Sequence, residues 1–153
     1  MRLRPLAAAD LAVVSPWFDD PGTRRWLGGR EWPAQSLALA GPLRPVLCAT
    51  DGGALVGLLD CEIHADGRAG FALVVDPARR RLGHGRRMVE ALRAELPQVS
   101  EFFVGVERGN AASRGLALRT GFVPVTGEDT DGFTYFAWRR HGSPEVPWSL
   151  PEA

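Results

Sequence analysis

The chain has 153 residues, enough for one domain with a full core. Its 18 basic residues balance 18 acidic ones, which argues against general nucleic-acid binding, because that needs a basic excess. No stretch approaches the roughly 20 apolar residues of a membrane span, and Met1-Arg2-Leu3-Arg4-Pro5 lacks the apolar segment of a signal peptide. Cys48 and Cys61 make neither a disulfide framework nor a zinc site. They read as small buried strand residues of a cytosolic protein, with no metal expected.

Met1 to Leu6 alternates as a first strand. Leu11, Val14 and Phe18 recur at helical spacing, so Ala7 to Phe18 reads as a helix that Pro16 can end early. Asp19-Asp20-Pro21-Gly22 has turn chemistry. Thr23 to Pro33 carries two tryptophans, three arginines and Gly28-Gly29, which suits a short helix and a mobile loop. A further short helix, Pro33 to Ala40, stops at Gly41-Pro42. Strands follow at Val46 to Thr50, Leu55 to His64 and Phe71 to Val75, separated by Asp51-Gly52-Gly53 and Ala65-Asp66-Gly67. Aspartate-glycine between apolar runs signals hairpins, so an antiparallel meander is expected.

Phe71 to Val75 is continuously apolar, as in a strand buried on both faces, and Asp76-Pro77 breaks it. A glycine loop then leads into a helix with Met88, Val89, Leu92 and Leu96 on one side, ending near Pro97. The next strand is Glu101 to Glu107. Asn110 has the chemistry to cap a helix closed by Thr120-Gly121. Phe133 to Trp138 is a last strand, entered through Asp131-Gly132. The domain spans residues 1–138, and Arg139 to Ala153, with three prolines, reads as an extended or disordered arm.

The chemistry concentrates after Val75. A strand, a glycine loop and a helix N-terminus make an anion cradle: main-chain N–H groups point outward, and glycines let a phosphate approach. Five arginines, Arg79, Arg80, Arg81, Arg86 and Arg87, surround it. A P-loop is excluded because the chain has no lysine, and a dinucleotide fingerprint because Met88 stands where its third glycine belongs. Val75-Asp76-Pro77 followed by Arg80 to Gly85, in the pattern Arg-x-x-Gly-x-Gly, instead resembles the acetyl-coenzyme A signature of the GCN5-related N-acetyltransferases (GNAT). The second half resembles the same family in register, with Asn110 after a strand and Gly121-Phe122 closing its helix.

The resemblance implies an α/β (α+β) fold with a central mixed, mostly antiparallel sheet flanked by helices on both faces. It implies acetyl-CoA as cosubstrate. Leu73 and Val75 would offer main-chain groups to the pantetheine and acetyl carbonyl. Arg80, Arg81, Gly83, His84, Gly85 and Arg86 would hold the pyrophosphate, with the His84 side chain free to face solvent. Asn110 would reach the pantetheine as well as cap its helix, the cap alone being the alternative.

Acetyl transfer to an amine needs a base for the amine and an acid for the leaving thiolate. Many family members supply the acid as a tyrosine seven residues after the asparagine, which here is Ala117. Tyr135 is the only tyrosine, so it is the candidate acid. Alternation places Asp60, Glu62 and His64 on one face of their strand, beside the expected cleft or at a solvated edge, and Glu62 is the candidate base. Asp19, Asp20, Glu31, Trp26 and Trp32 would form a lip for a cationic amine, unless the tryptophans only anchor the lip. The leading expectation is an N-acetyltransferase acting on a primary amine of a small molecule or peptide N-terminus. A non-catalytic acyl-CoA-binding or sensing module is the alternative. Neither nucleic acid nor membrane is an expected partner, and a homodimer is compatible with the pattern.

Overall fold

Seven strands form one sheet in the computed structural model, which describes residues 1–141 and 147–152. They are β1 (Arg2–Pro5), β2 (Val46–Asp51), β3 (Ala54–Ile63), β4 (Arg68–Val75), β5 (Glu101–Glu107), β6 (Val123–Pro124) and β7 (Phe133–Arg139). The spatial order is β1-β2-β3-β4-β5-β7-β6. Every neighbouring pair is antiparallel except β4 and β5. That parallel pair requires a crossover, supplied by α4 (His84–Glu95).

The other helices are α1 (Leu11–Val14), flanked by 3-10 turns at Ala8–Asp10 and Ser15–Asp19, α2 (Pro21–Trp26), α3 (Trp32–Leu39) and α5 (Ala111–Arg119). One face of the sheet is covered by α4 and α5, where Met88, Leu92, Ala117 and Phe122 pack on Leu59, Phe102 and Phe136. The opposite face carries a second core in which Val14 and Phe18 meet Cys48, Leu58 and Val74. Each fully buried Phe, Leu or Met contributes about 1.5–3 kcal/mol. Gly57 in β3 sets how closely α4 approaches: a Cβ there would collide with the Met88 sulfur and lie 2.8 Å from the Val74 carbonyl.

The expected elements form with local corrections. Asp19 to Gly22 is not a free turn but the start of α2, because Asp20 Oδ2 accepts the Thr23 N–H at 3.0 Å. Pro21 occupies the first helical position, where a missing N–H is harmless. The helix expected over residues 7–18 is divided, with Pro16 inside its second 3-10 turn. β4 begins at Arg68, three residues earlier than its apolar run, because Gly70 and Ala69 pair across both neighbours. The two-residue β6 has too little alternation to be read from sequence. The arm expected over 139–153 falls partly on residues 142–146 and 153, which lie outside the described residues. In its described part, Trp148 packs against Phe103 and Tyr135.

Candidate active site

The site begins where β4 and β5 part. Their ladder is only three pairs long: Arg68 with Glu101, Ala69 with Phe102, and Gly70 with Phe103. Beyond it β4 stays paired to β3 as far as Val75, and β5 to β7 as far as Glu107. A V therefore opens between them. Main-chain groups alternate in direction along a strand, and the Asp76 N–H donates to Val56 O in β3 at 2.8 Å. Counting back, Val74 and Ala72 also point to β3, while Leu73 and Val75 present N–H and C=O groups to the open V. These are the two residues singled out from the sequence.

The glycine loop lies at the tip of β4. Arg81 and Gly83 adopt left-handed φ values of 63° and 79°, which turn the chain so that α4 starts at His84. The first helical bond runs from Arg87 N–H to Gly83 O at 3.2 Å. The N–H groups of Gly83, His84, Gly85 and Arg86 have no acceptor among the described residues, so they remain available to an anion. Gly85 makes the cradle close-packed: a Cβ there would sit 3.3 Å from Leu116 of α5 and 3.7 Å from Val75.

The side chains around this loop are largely committed. Contrary to the expectation of a solvent-facing ring, His84 is buried, with Nδ1 3.2 Å from Arg87 and 3.9 Å from the Asp51 carboxylate. Arg80 grips α2: its guanidinium donates to Asp20 Oδ2 at 2.7 Å and to Thr23 Oγ1 at 3.0 Å. That ion pair, with the Thr23 hydrogen bonds, holds the Asp20 carboxyl down at about 2. Arg86 Nε pairs with Glu90 at 3.2 Å, whereas Arg81 projects as an exposed side chain. Across the V, Asn110 Oδ1 caps α5 by accepting the Ser113 N–H at 3.2 Å. Its side-chain N–H groups have no partner among the described residues. Beside it lies a cavity of ≈ 270 Å³ lined by Val106, Arg108, Asn110, Arg114, Thr134 and Phe136.

The acid and base candidates lie on the face opposite α4. Asp60 and Glu62 do share that face, but Asp60 is buried and held by Arg44 through two contacts of 3.1 Å. It is therefore not a free base. Because β3 is third of seven strands, it is not a sheet edge either. Glu62 is exposed, in a row with Gly70 and Phe103. The His64 ring centroid lies 5.9 Å from that of Phe103. Tyr135 stands across the V on β7, opposite Gly105, and burial raises its phenol above the usual range. Glu62 and Tyr135 thus flank the cleft from two sides, at least three strand spacings (about 14 Å) apart at their backbones. Ala117, where the resemblance implies a tyrosine, is 5% exposed on the inner side of α5 and packed into the core that α5 shares with α4.

The lip resolves into separate parts. Trp32 stacks on Phe18 at 5.3 Å and anchors α3 to the core. Asp19 pairs with Arg30 at 2.8 Å, and Glu31 is exposed. Trp26 lies under the Arg25 guanidinium at 4.4 Å, and its ring tip is 3.7 Å from where Gly109 would carry a Cβ. Helix α2 therefore bars the mouth of the V, tied to the glycine loop at Asp20 and touching the β5–α5 turn at Trp26. Thr23, Arg44, Gly109 and Trp148 escaped the sequence reading because each acts through a partner far away in the chain. Only the isolated Trp148 in a proline-rich tail offered a hint. Among the described residues, no helix is long and apolar enough to cross a membrane and no His, Cys, Asp or Glu cluster is arranged to hold a metal.

The splayed sheet, glycine cradle and Asn-capped helix are those of an acyl-CoA transferase. The model of the Acetyltransferase (GNAT) family matches residues 11–122, so the chain belongs to that family and is an acetyl-CoA-dependent N-acetyltransferase. A comparison with curated protein sequences finds no match. Among solved structures, the aminoglycoside acetyltransferase AAC(6')-Ib in complex with coenzyme A superposes with a TM-score of 0.75 at 20% identity, over 90% of this chain and 94% of that one. The ribosomal-protein-S18-alanine N-acetyltransferase from Escherichia coli gives 0.71 at 20% identity, over 97% and 99%. The GNAT domain of S. lividans PAT gives 0.74 at 18%, over 90% and 89%. At these identities the likeness is one of fold.

Proposed function

We propose that the protein transfers the acetyl group of acetyl-CoA to a primary amine of a small molecule or peptide N-terminus. The observation that carries this reading is the pairing of two sets of unpaired main-chain groups, those of Leu73 and Val75 in the V and the N–H groups of Gly83, His84, Gly85 and Arg86 at the start of α4. Such a pairing fits a polar arm ending in a pyrophosphate. Acetyl-CoA supplies the activated thioester. The N–H groups at the N-terminus of α4 bind its pyrophosphate, and Leu73 and Val75 align the arm in the V. A main-chain N–H in the V stabilises the charge that develops on the thioester oxygen. Arg80, Arg81 and Arg86 add charge around the loop, and Asn110 donates its side-chain amide from the far wall.

In the transfer, the amine nitrogen bonds to the acetyl carbon, the carbon–sulfur bond breaks, and one proton passes from nitrogen towards sulfur. Glu62 takes the amine proton directly or through water, and Tyr135 is the candidate donor to the thiolate. The raised phenol keeps Tyr135 protonated across neutral pH, as a donor must be. A panel of alaninamide, an alanine-headed hexapeptide amide, 2-phenylethylamine and spermidine, assayed by thiol release from acetyl-CoA, tests this reading. Acetylation of at least one is expected, with Glu62→Gln lowering kcat at neutral pH and recovering at high pH, where free amine is abundant. Coenzyme binding without any amine-dependent thiol release would contradict it.

A further inference from the structure

β7 ends at Arg139 beside Glu101, yet Trp148 lies back over the middle of the strand. Its ring stacks on Tyr135 with centroids 5.3 Å apart and 26° between planes, and it meets Phe103 at 5.5 Å and 65°. These residues occupy the face away from α4 and α5. There Phe103 also covers Gly70, where a Cβ would lie 2.9 Å from the ring. Polar bonds fix the placement. Trp148 Nε1 donates to Glu101 Oε2 at 2.9 Å. That carboxylate is 1% exposed and also accepts from Arg139 Nε at 2.9 Å. Arg68 donates to the Ser149 carbonyl at 2.7 Å. A buried carboxylate served from separate parts of the chain, by Trp148, by Arg139 and by Arg68 at 3.4 Å, ties the indole to one position through a hydrogen bond shielded from water.

That position has a consequence for substrate choice, which rests on the acetyl-transfer reading. Helices α4 and α5 close one face of the V, and the pyrophosphate cradle opens at α4. An acceptor must therefore approach from the other face. There Glu62 borders the approach on the β3 side and α2 bars the mouth. On the β7 side the groove would run out past Phe103 and Tyr135 across the sheet, but the indole stands in that path. We propose that Trp148 is a specificity-determining residue that closes the β7 side of the acceptor groove and restricts it to amines that are compact on that side.

Trp148→Ala and Trp148→Phe test this with alaninamide and the alanine-headed hexapeptide amide as acceptors and calorimetric acetyl-CoA binding as control. In Trp148→Ala the coenzyme Kd should stay within twofold. The ratio of kcat/KM for the hexapeptide over that for alaninamide should rise at least tenfold, chiefly through a lower KM for the longer acceptor. Trp148→Phe, which keeps a ring but loses the bond to Glu101, should give an intermediate ratio. An unchanged ratio with coenzyme binding intact would overturn the proposal. So would a Trp148→Ala protein that no longer binds coenzyme while Trp148→Phe keeps the wild-type ratio, since the ring would then be only a strut. A wild-type protein that binds coenzyme and acetylates none of the four amines of the panel contradicts the acetyl-transfer reading itself, and this inference falls with it. One that acetylates 2-phenylethylamine or spermidine but neither alanine acceptor keeps that reading. The ratio is then read between those two amines, and an unchanged ratio in Trp148→Ala overturns the proposal.

Discussion

Asp20 and Arg80 show how one ion pair serves two elements. Asp20 caps α2 and holds Arg80, whose own position belongs to the glycine loop. Asparagine caps a helix as well as aspartate does, so Asp20→Asn removes the charge and keeps the cap. With Arg80 47% and Asp20 21% exposed, solvent screening limits the pair to about 0.2–1 kcal/mol. The sign of its pH dependence follows from a carboxyl held down at about 2 against an ordinary 3.8. The contribution is complete above the ordinary value and lost as pH falls through about 2. The stability difference between wild type and Asp20→Asn should therefore be present at neutral pH and vanish near pH 2, as urea titrations at several pH values would show. A difference that persists at pH 2 would mean that the cap, not the charge, was lost. Arg80→Ala should weaken acetyl-CoA binding by about 1.5–3 kcal/mol, the range for a charge-assisted hydrogen bond to the pyrophosphate. Calorimetry with no loss of affinity would leave the pyrophosphate to the main-chain N–H groups alone, with Arg80 serving only α2.

At the scale of elements, α4 and α5 are set by small residues. Gly57→Ala would drive a methyl into Met88 and towards the Val74 carbonyl, so overpacking should cost about 1–3 kcal/mol, read as a lower denaturant midpoint. Ala117→Tyr faces the same constraint, since Ala117 is the buried residue of α5 and sits in the core shared with α4. It should lower stability by about 1–3 kcal/mol while acetyl-CoA still produces a thermal shift; loss of that shift in a folded variant would show that the phenol invades the coenzyme path. Most elements were legible because their signals are local: Asn110 caps α5 as its side chain suggests, and the aspartate-glycine turns punctuate β2, β3 and β4. The split of the first helical stretch and the capping role of Asp20 were harder. Pro16 and Pro21 each fit a turn, a 3-10 segment or a helix start, and tertiary packing decides among them.

For the molecule as a whole, function depends on where two strands stop pairing. The apolar run of β4 gave no sign that only Arg68, Ala69 and Gly70 would face β5, because divergence is a property of the pair. The glycine loop and Asn110 were readable as chemistry, whereas the Arg44 clamp on Asp60 and the return of Trp148 to Glu101 join residues 16 and 47 positions apart and leave no periodic trace. Acetyl transfer here depends on the coenzyme reaching from the unpaired main-chain groups of the V to those at the N-terminus of α4. Amide hydrogen exchange, followed residue by residue with and without saturating acetyl-CoA, reads those groups directly. Protection should appear at Leu73, Val75, Gly83, His84, Gly85 and Arg86, and the amides of β1 and β2 should be unaffected beyond any global stabilisation. Bound coenzyme that leaves the Gly83–Arg86 amides as exchangeable as in the free protein would contradict the account.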